Sequence, residues 1–270
     1  MSENATVSQI LAEKGITEHG FVSFSSVLPL LECRAKSRLP NPSNSVIVCL
    51  FPYHVAEPER RNISRYAMVE DYHTVAIKRL SDACNALSVA YPEHLFVPFA
   101  DNSPIREVAA AVSAGLGMLG KNSLLIHPTY GSFVFIGEIV TDLNLDTTKK
   151  SAGCIGCGKC ISSCPAGAIG EAGVECERCL SHITQKKGSL SAEEEELIRD
   201  GKLVWGCDIC QEVCPYNRVI PETPFEEFRE NIEPYITYER IDELVQTRAF
   251  GFRGDKVIKR NYEILYGDQE

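Results

Sequence analysis

The sequence predicts an α/β (α+β) domain over residues 1–150, a small cysteine-rich domain over 151–220, and a charged tail over 221–270 that packs back on them. Three observations carry that expectation. Helix-period and strand-like stretches alternate through the first half, the chain turns polar around Asp146, and nine of the twelve cysteines fall between Cys154 and Cys214. The 270 residues exceed one average domain of roughly 150. An apolar content of 44% with 24% charged residues excludes disorder and fibrous repetition.

Taken in order, Val7 to Lys14 reads as a short helix stopped by Gly15. Phe21-Val-Ser-Phe and then Ser45 to Tyr53 read as strands, the second of them buried. The strongest helix runs from Asp71 to about Val89, where Ala76, Leu80, Cys84 and Leu87 recur at helical spacing. Strands return at His94 to Phe99, Ser123 to His127 and Ser132 to Val140, with an Ala-rich helix from Ile105 to Ala114 between the first two. Gly115 to Gly120 matches G-x-G-x-x-G. A dinucleotide loop, however, follows a strand and opens a helix; here the glycines close a helix, so a tight turn is expected instead.

Charge and hydropathy narrow the function classes. Twenty-seven basic against thirty-seven acidic residues leave a net charge of -10, which argues against a chain-wide basic surface for nucleic acid. The N-terminus has neither the basic start nor the apolar stretch of a secretory signal. The longest apolar runs fall short of the roughly 20 residues that span a bilayer. A cytoplasmic protein without a membrane segment is expected.

In a reducing cytoplasm disulfides are rare, so the clustered cysteines point to metal. Cys154, Cys157, Cys160 and Cys164, followed by Pro165, reproduce the C-x2-C-x2-C-x3-C-P spacing of bacterial ferredoxins, whose fourth cysteine ligates the other cluster. Cys207, Cys210 and Cys214 before Pro215 repeat the pattern without its first cysteine. The crossing rule gives Cys154, Cys157, Cys160 and Cys214 to one [4Fe-4S] cluster. It gives Cys207, Cys210 and Cys164 to a second, completed by Cys179 or Cys176, with Cys179 preferred. Zinc is the alternative metal, but two zinc knuckles leave both x3-Cys-Pro endings unexplained. Cys33, Cys49 and Cys84 sit in apolar surroundings and read as small core residues. Glu193 to Glu196 reads as a solvated helix face, and Trp205 as a shield beside a cluster.

Several further segments carry a resemblance: Tyr66-Ala-Met-Val-Glu-Asp71-Tyr72-His73, Asp101-Asn-Ser-Pro104-Ile-Arg-Glu107, Gly115 through Lys121-Asn122-Ser123, Gly131-Ser132, Gly137-Glu138 and Gly206 through Asn217. Together and in this order they resemble the epoxyqueuosine reductase family, which is related to reductive dehalogenases. The resemblance implies cobalamin bound base-off in the first domain, fed by two [4Fe-4S] clusters, and removal of the epoxide oxygen from a modified tRNA nucleoside. It implies Asp101 as the catalytic proton donor, whose pKa burial beside the corrinoid should raise. It further implies that Tyr66, Asp71, Tyr72 and His73 approach the cofactor, that Lys121, Asn122 and Ser123 line it, and that Gly131 and Ser132 belong to the same site. The electron donor would be of flavodoxin or ferredoxin type, and tRNA would be the partner.

Read from the residues alone, Asp101 before a Ser-Pro turn is a helix N-cap, and His73 is as readily a satisfied core or surface histidine as a cofactor contact. Two departures stand beside the resemblance. Val108 occupies the place where the family usually has an arginine, and only ten residues follow Arg260, where relatives continue into helical repeats that help hold tRNA. They keep open a corrinoid and iron-sulfur reductase of a small molecule, and a non-catalytic electron carrier.

Overall fold

The computed structural model describes residues 2–148 and 153–267. The expected boundary at 150/151 lies outside them. The chain divides into two compact units. The first comprises Met1–Pro52, Tyr72–Gly120 and Leu124–Cys154, and the second Tyr53–Asp71, Lys121–Ser123 and Ile155–Glu270. Two short segments of the first half, 53–71 and 121–123, are therefore built into the second unit.

The first unit is organised by one four-stranded antiparallel sheet. Its strands are β1 (His19–Ser23), β2 (Ser45–Pro52), β3 (Phe96–Ala100) and β6 (Val134–Thr141), in the spatial order β1-β2-β6-β3. All eight residues of β2 are buried, as a continuous apolar run in a central strand requires, because both sheet faces are covered. On one face lies α2 (Tyr72–Ala90), which buries Val75, Ala76, Leu80, Ala83, Cys84 and Leu87. The helix comes close because β6 carries Gly137 there: a Cβ at that position would meet Leu80 Cδ1 at 2.8 Å. On the other face α3 (Glu107–Ser113) sets Ala110 and Ala111 against Val46, Val48, Ile136 and Val140.

Helix α1 (Glu3–Glu13) starts four residues before the expected Val7, because the Ser2 hydroxyl accepts a hydrogen bond from the Ala5 N–H and so caps the first turn. Gly115, at φ 78°, turns the chain out of α3, and the following β4 (Met118–Leu119) pairs with β5 (Leu125–Ile126). The strand expected over Ser123 to His127 is thus shortened to two residues. His127 instead forms a turn, its Nδ1 accepting from the N–H groups of Thr129 and Tyr130 at 3.2 and 3.3 Å.

The second unit has little regular structure. Its longest helices are α4 (Ala192–Gly201), opened by a Ser191/Glu194 capping box, and α5 (Asp255–Tyr266). Leu180, Ile183 and Ile198 form a small core that Cys207, Ile264 and Leu265 pack against. Polar side chains knit the rest. Asn62 bonds Ile236 in both directions at 2.7 and 2.8 Å, and Asn261 donates to the carbonyls of Thr184 and Val204 at 2.7 and 2.8 Å. Residues 221–267 are an integral part of this unit, with Phe228, Ile236, Ile241 and Phe250 fully buried. Among the described residues no helix is long and apolar enough to cross a membrane.

Candidate functional site

In the first unit the structure brings Tyr72, His73 and Asp101 together. Tyr72 and His73 open α2, and Asp101 follows β3 at φ 59°, a left-handed backbone that few residues other than glycine and Asn/Asp adopt. His73 Nε2 lies 3.3 Å from Asp101 Oδ2. Tyr72 stacks between His73 and Phe135, with ring centroids 4.0 and 4.1 Å away. The Asp101 side chain is 60% exposed, and its hydrogen bond from His73 holds its carboxyl below the ordinary value, Tyr72 adding to the effect. The expected upward shift is therefore reversed in the protein alone: too little of Asp101 is buried to outweigh the bond from His73. Nor does Asp101 cap a helix. The Ser103 hydroxyl accepts from the Ile105 N–H at 3.1 Å, and α3 begins at Glu107.

The carboxyl that is raised belongs to Glu107. Burial, with Asp101 close by, pushes it up to about 7, while one of its oxygens accepts the Asp101 N–H at 3.0 Å. Behind it stands Glu138, fully buried in β6 and raised far above the carboxylate range by burial and by Glu107. Neither residue was assigned a part from the sequence. The signal was a lone acid inside Phe133-Val-Phe-Ile-Gly-Glu-Ile-Val, an otherwise apolar strand. A second pair also went unassigned: His127 Nε2 lies 3.2 Å from Glu18 Oε2 and lowers that carboxyl. Gly131 and the buried Ser132 follow on the same turn. Val108 packs against the apolar core.

In the second unit the cysteine repeat is a structural repeat. Cys160 lies in the helical turn Lys159–Ser162 and Cys210 in the turn Ile209–Glu212, and the two turns pack on each other. Their hydrogen bonds correspond one for one. Ser163 N donates to Lys159 O as Val213 N does to Ile209 O, Cys164 N to Ile161 O as Cys214 N to Gln211 O, and Gly167 N to Cys164 O as Asn217 N to Cys214 O. The Ala168 N–H also points at Cys164 Sγ, 3.3 Å away, a donor of the kind that tunes cluster thiolates.

Burial, together with the charge of Asp208 and then those of Cys179 and Cys164, pushes the Cys207 thiol up to about 11. Cys210 rises to about 12 for the same reason, with Cys207, Cys179 and Cys160 near it and Asn122 hydrogen-bonding in opposition. Cys179 is half-buried and Cys176 exposed. Among the described residues no three His, Cys, Asp or Glu side chains converge as a single metal ion would need; a cubane, bound at four corners, does not ask that of them. Cys154 closes the first unit.

The remaining expected residues of this unit serve the loops around the cysteines. Asn122 reaches Cys210, Lys121 Nζ pairs with Glu171 at 2.7 Å, and Ser123 lies beside Gly173. The Tyr66 hydroxyl accepts from Trp205 Nε1 at 2.6 Å, and Trp205 is fully buried against Phe250. Asp71 ends the segment 53–71, half-buried. Asp208, between the two cysteines, is buried and takes Arg61 Nη1 and the Arg65 N–H, each at 2.9 Å, fixing the second cysteine turn.

With this geometry in place, comparison with known proteins gives consistent matches. The family described as "4Fe-4S double cluster binding domain" matches residues 153–217, and the family "Epoxyqueuosine reductase QueG, DUF1730" matches residues 34–102. The chain is 37% identical over 166 residues to an epoxyqueuosine reductase of Lactococcus garvieae, covering 61% of this chain and 47% of that protein. It is 35% identical over 237 residues to that of Shewanella oneidensis, covering 81% and 59%. The chain thus spans about half the length of the curated relatives it matches. Among solved structures, epoxyqueuosine reductase from Streptococcus thermophilus shares the fold with a TM-score of 0.83 at 24% identity, over 98% of this chain and 80% of that one. A catabolic reductive dehalogenase shares it at 0.54 and 16% identity, over 97% and 36%.

Proposed function

We propose, from its kinship with the epoxyqueuosine reductase family, that the chain is a cytoplasmic iron-sulfur oxidoreductase that deoxygenates the epoxide of epoxyqueuosine in tRNA. The observation that carries this reading is the duplicated cysteine turn, which is the apparatus of a one-electron conduit. The reaction takes up two electrons and two protons: two C–O bonds break, a C=C bond forms and the oxygen leaves as water. Related structures are titled for a complex with an epoxyqueuosine-modified tRNA stem loop and for B12-dependent dehalogenation. When bound, a corrinoid would supply a strongly reducing nucleophilic metal and the clusters would supply electrons singly, drawn from a donor of flavodoxin or ferredoxin type.

The protein's own residues would do the rest. Cys154, Cys157, Cys160 and Cys214 would hold one cluster, and Cys207, Cys210, Cys164 and Cys179 the other, in keeping with the nearness of Cys179 and Cys164 to Cys207. Base-off cobalamin asks no histidine of the protein, and His73 fits that demand because its Nε2 is engaged by Asp101. Tyr66, Asp71, Tyr72, His73, Lys121, Asn122, Ser123, Gly131 and Ser132 would line the cofactor site. Asp101 would deliver the proton to the departing oxygen, its exposed carboxyl aimed by His73.

Anaerobic reconstitution tests the reading. Two clusters should bring about eight iron atoms per chain, and added cobalamin should develop a bound cob(II)alamin spectrum. Cys179→Ala should halve the iron while Cys176→Ala keeps it. Expression in a queuosine-deficient strain should restore queuosine in tRNA. Unrestored tRNA in the presence of fully loaded protein would transfer the activity to a smaller substrate.

A further inference from the structure

The second unit carries a cavity whose charge runs against that of the chain. It measures about 610 Å³, within the range of small-ligand sites, and lies between the loop 186–190 and the first turns of α5. Lys187, Arg253, Lys256 and Arg260 line it together with Glu195 of α4, although the chain as a whole bears a net charge of -10. The carboxylates around it are already engaged. Glu195 holds Arg199 at 2.9 Å, Glu194 holds Lys186 at 2.7 Å and Asp255 holds Lys259 at 3.1 Å. Among the described residues Lys187, Arg253 and Lys256 have no acidic partner. Arg260 fixes the frame: its Nη1 donates to the carbonyls of Lys186 and Gly188, each at 2.7 Å, and so ties the loop to α5. The Arg253 guanidinium carbon lies 4.7 Å from the centre of the Phe252 ring, which is 61% exposed. Its Nε is buried without a hydrogen-bond partner among the described residues, a costly condition for a charged donor.

We propose that this cavity binds the phosphate of a nucleotide. Three features set that chemistry. Cations without acidic partners, held on a fixed frame, call for an anion, and a guanidinium with two ammonium groups beside it suits the oxygens of a phosphate. The volume exceeds what a bare phosphate fills, and Leu190 and Val257 add apolar wall for the organic body that carries it. The exposed Phe252 ring next to Arg253 is a surface on which a base can stack. No cluster cysteine and no residue of the proposed cofactor site lines the cavity, so the binding is a function separate from electron transfer. Such a phosphate is carried both by an RNA chain and by a free nucleotide; only the first of these rests on the proposed tRNA reaction.

Lysine acetylation of the iron-loaded full-length protein, read by mass spectrometry, tests the site residue by residue. Adenosine monophosphate or a short single-stranded RNA should slow the labelling of Lys187 and Lys256, whereas sodium sulfate at the same ionic strength should not. Lys36 and Lys78, which pair with Glu32 and Asp82 in the first unit, should label at one rate throughout. Lys187→Glu combined with Lys256→Glu should weaken binding about tenfold or more. For RNA it should also reduce the slope of log K against log salt by about 0.7 per lost contact. The same charge change made by Lys36→Glu with Lys78→Glu should leave the affinity unaltered, and iron content should hold in both. Protection by RNA alone assigns the phosphate to a nucleic-acid chain; protection by the mononucleotide assigns it to a free nucleotide. Absence of protection, equal protection by sulfate, or equal weakening in the Lys36 and Lys78 variant overturns the proposal. Should the Lys187 and Lys256 variant fail to fold, the wild-type protection pattern decides. Protection in a protein that does not restore queuosine would keep the nucleotide site and discard the epoxide reaction; restored queuosine without protection would do the reverse.

Discussion

The two units hold their structure by different means. In the first, β2 buries all eight of its residues between two helices, and apolar burial at about 25 cal/mol per Å² suffices to define the sheet. In the second, no residue from 155 to 167 is buried, and Ile155 is 62% exposed. There, hydrogen-bonded turns, the Asp208–Arg61 pair and the thiols' own ligand would set the geometry. The contrast suggests that the first unit folds by its core, whereas the cysteine segment needs iron to become rigid, as metal-binding segments without a preformed core commonly do.

Stripping the iron under anaerobic conditions should break the comparison most visibly. Amide exchange across 153–217 should rise steeply and proteases should cut near Ile155, while protection in β2 and β6 remains; equal loosening of both units would mean that they are not separately stabilised. Next in size, Phe99→Ala removes a fully buried ring from the sheet core and should cost about 3–5 kcal/mol in denaturant unfolding. Iron per folded chain should not change.

A pH series sharpens the comparison further. Glu107 binds its proton more tightly folded than unfolded, rising from the ordinary 4.5 to about 7. Its contribution to stability is therefore complete below about 4.5 and is lost as pH rises through about 7, by about 3 kcal/mol. Glu107→Gln should flatten that slope in the first unit's denaturation midpoint. The smallest effect is Ser191→Ala, which removes the capping box of α4 and should cost about 1 kcal/mol in the second unit alone.

Much of the second unit's chemistry was legible because it is local. Cysteines at spacings of three and four residues fall on one helical turn and its exit, and the repeated Cys-Pro ending reappears as a repeated set of hydrogen bonds. The long helix Tyr72–Ala90 and the strand Ser45–Pro52 were legible from their periods. Less of the other elements was. The segment at Ser123 to His127 has strand-like composition, but its histidine satisfies the N–H groups of the next turn and ends the pairing. In the protein alone the direction for Asp101 is set by His73, which lies 28 positions earlier in the chain and reaches it only once α2 and β3 have packed.

By itself the sequence determined the kind of metal apparatus, the number of thiols and the mixed helix-and-sheet character of the first half, since each follows from the spacing of neighbours along the chain. Tertiary structure alone decided which carboxyl keeps a proton. Asp101, Glu107 and Glu138 are the same functional group three times over. What separates them is the water and charge that surround each, and those are set when β6 lays Glu138 in the core and leaves Asp101 at the rim.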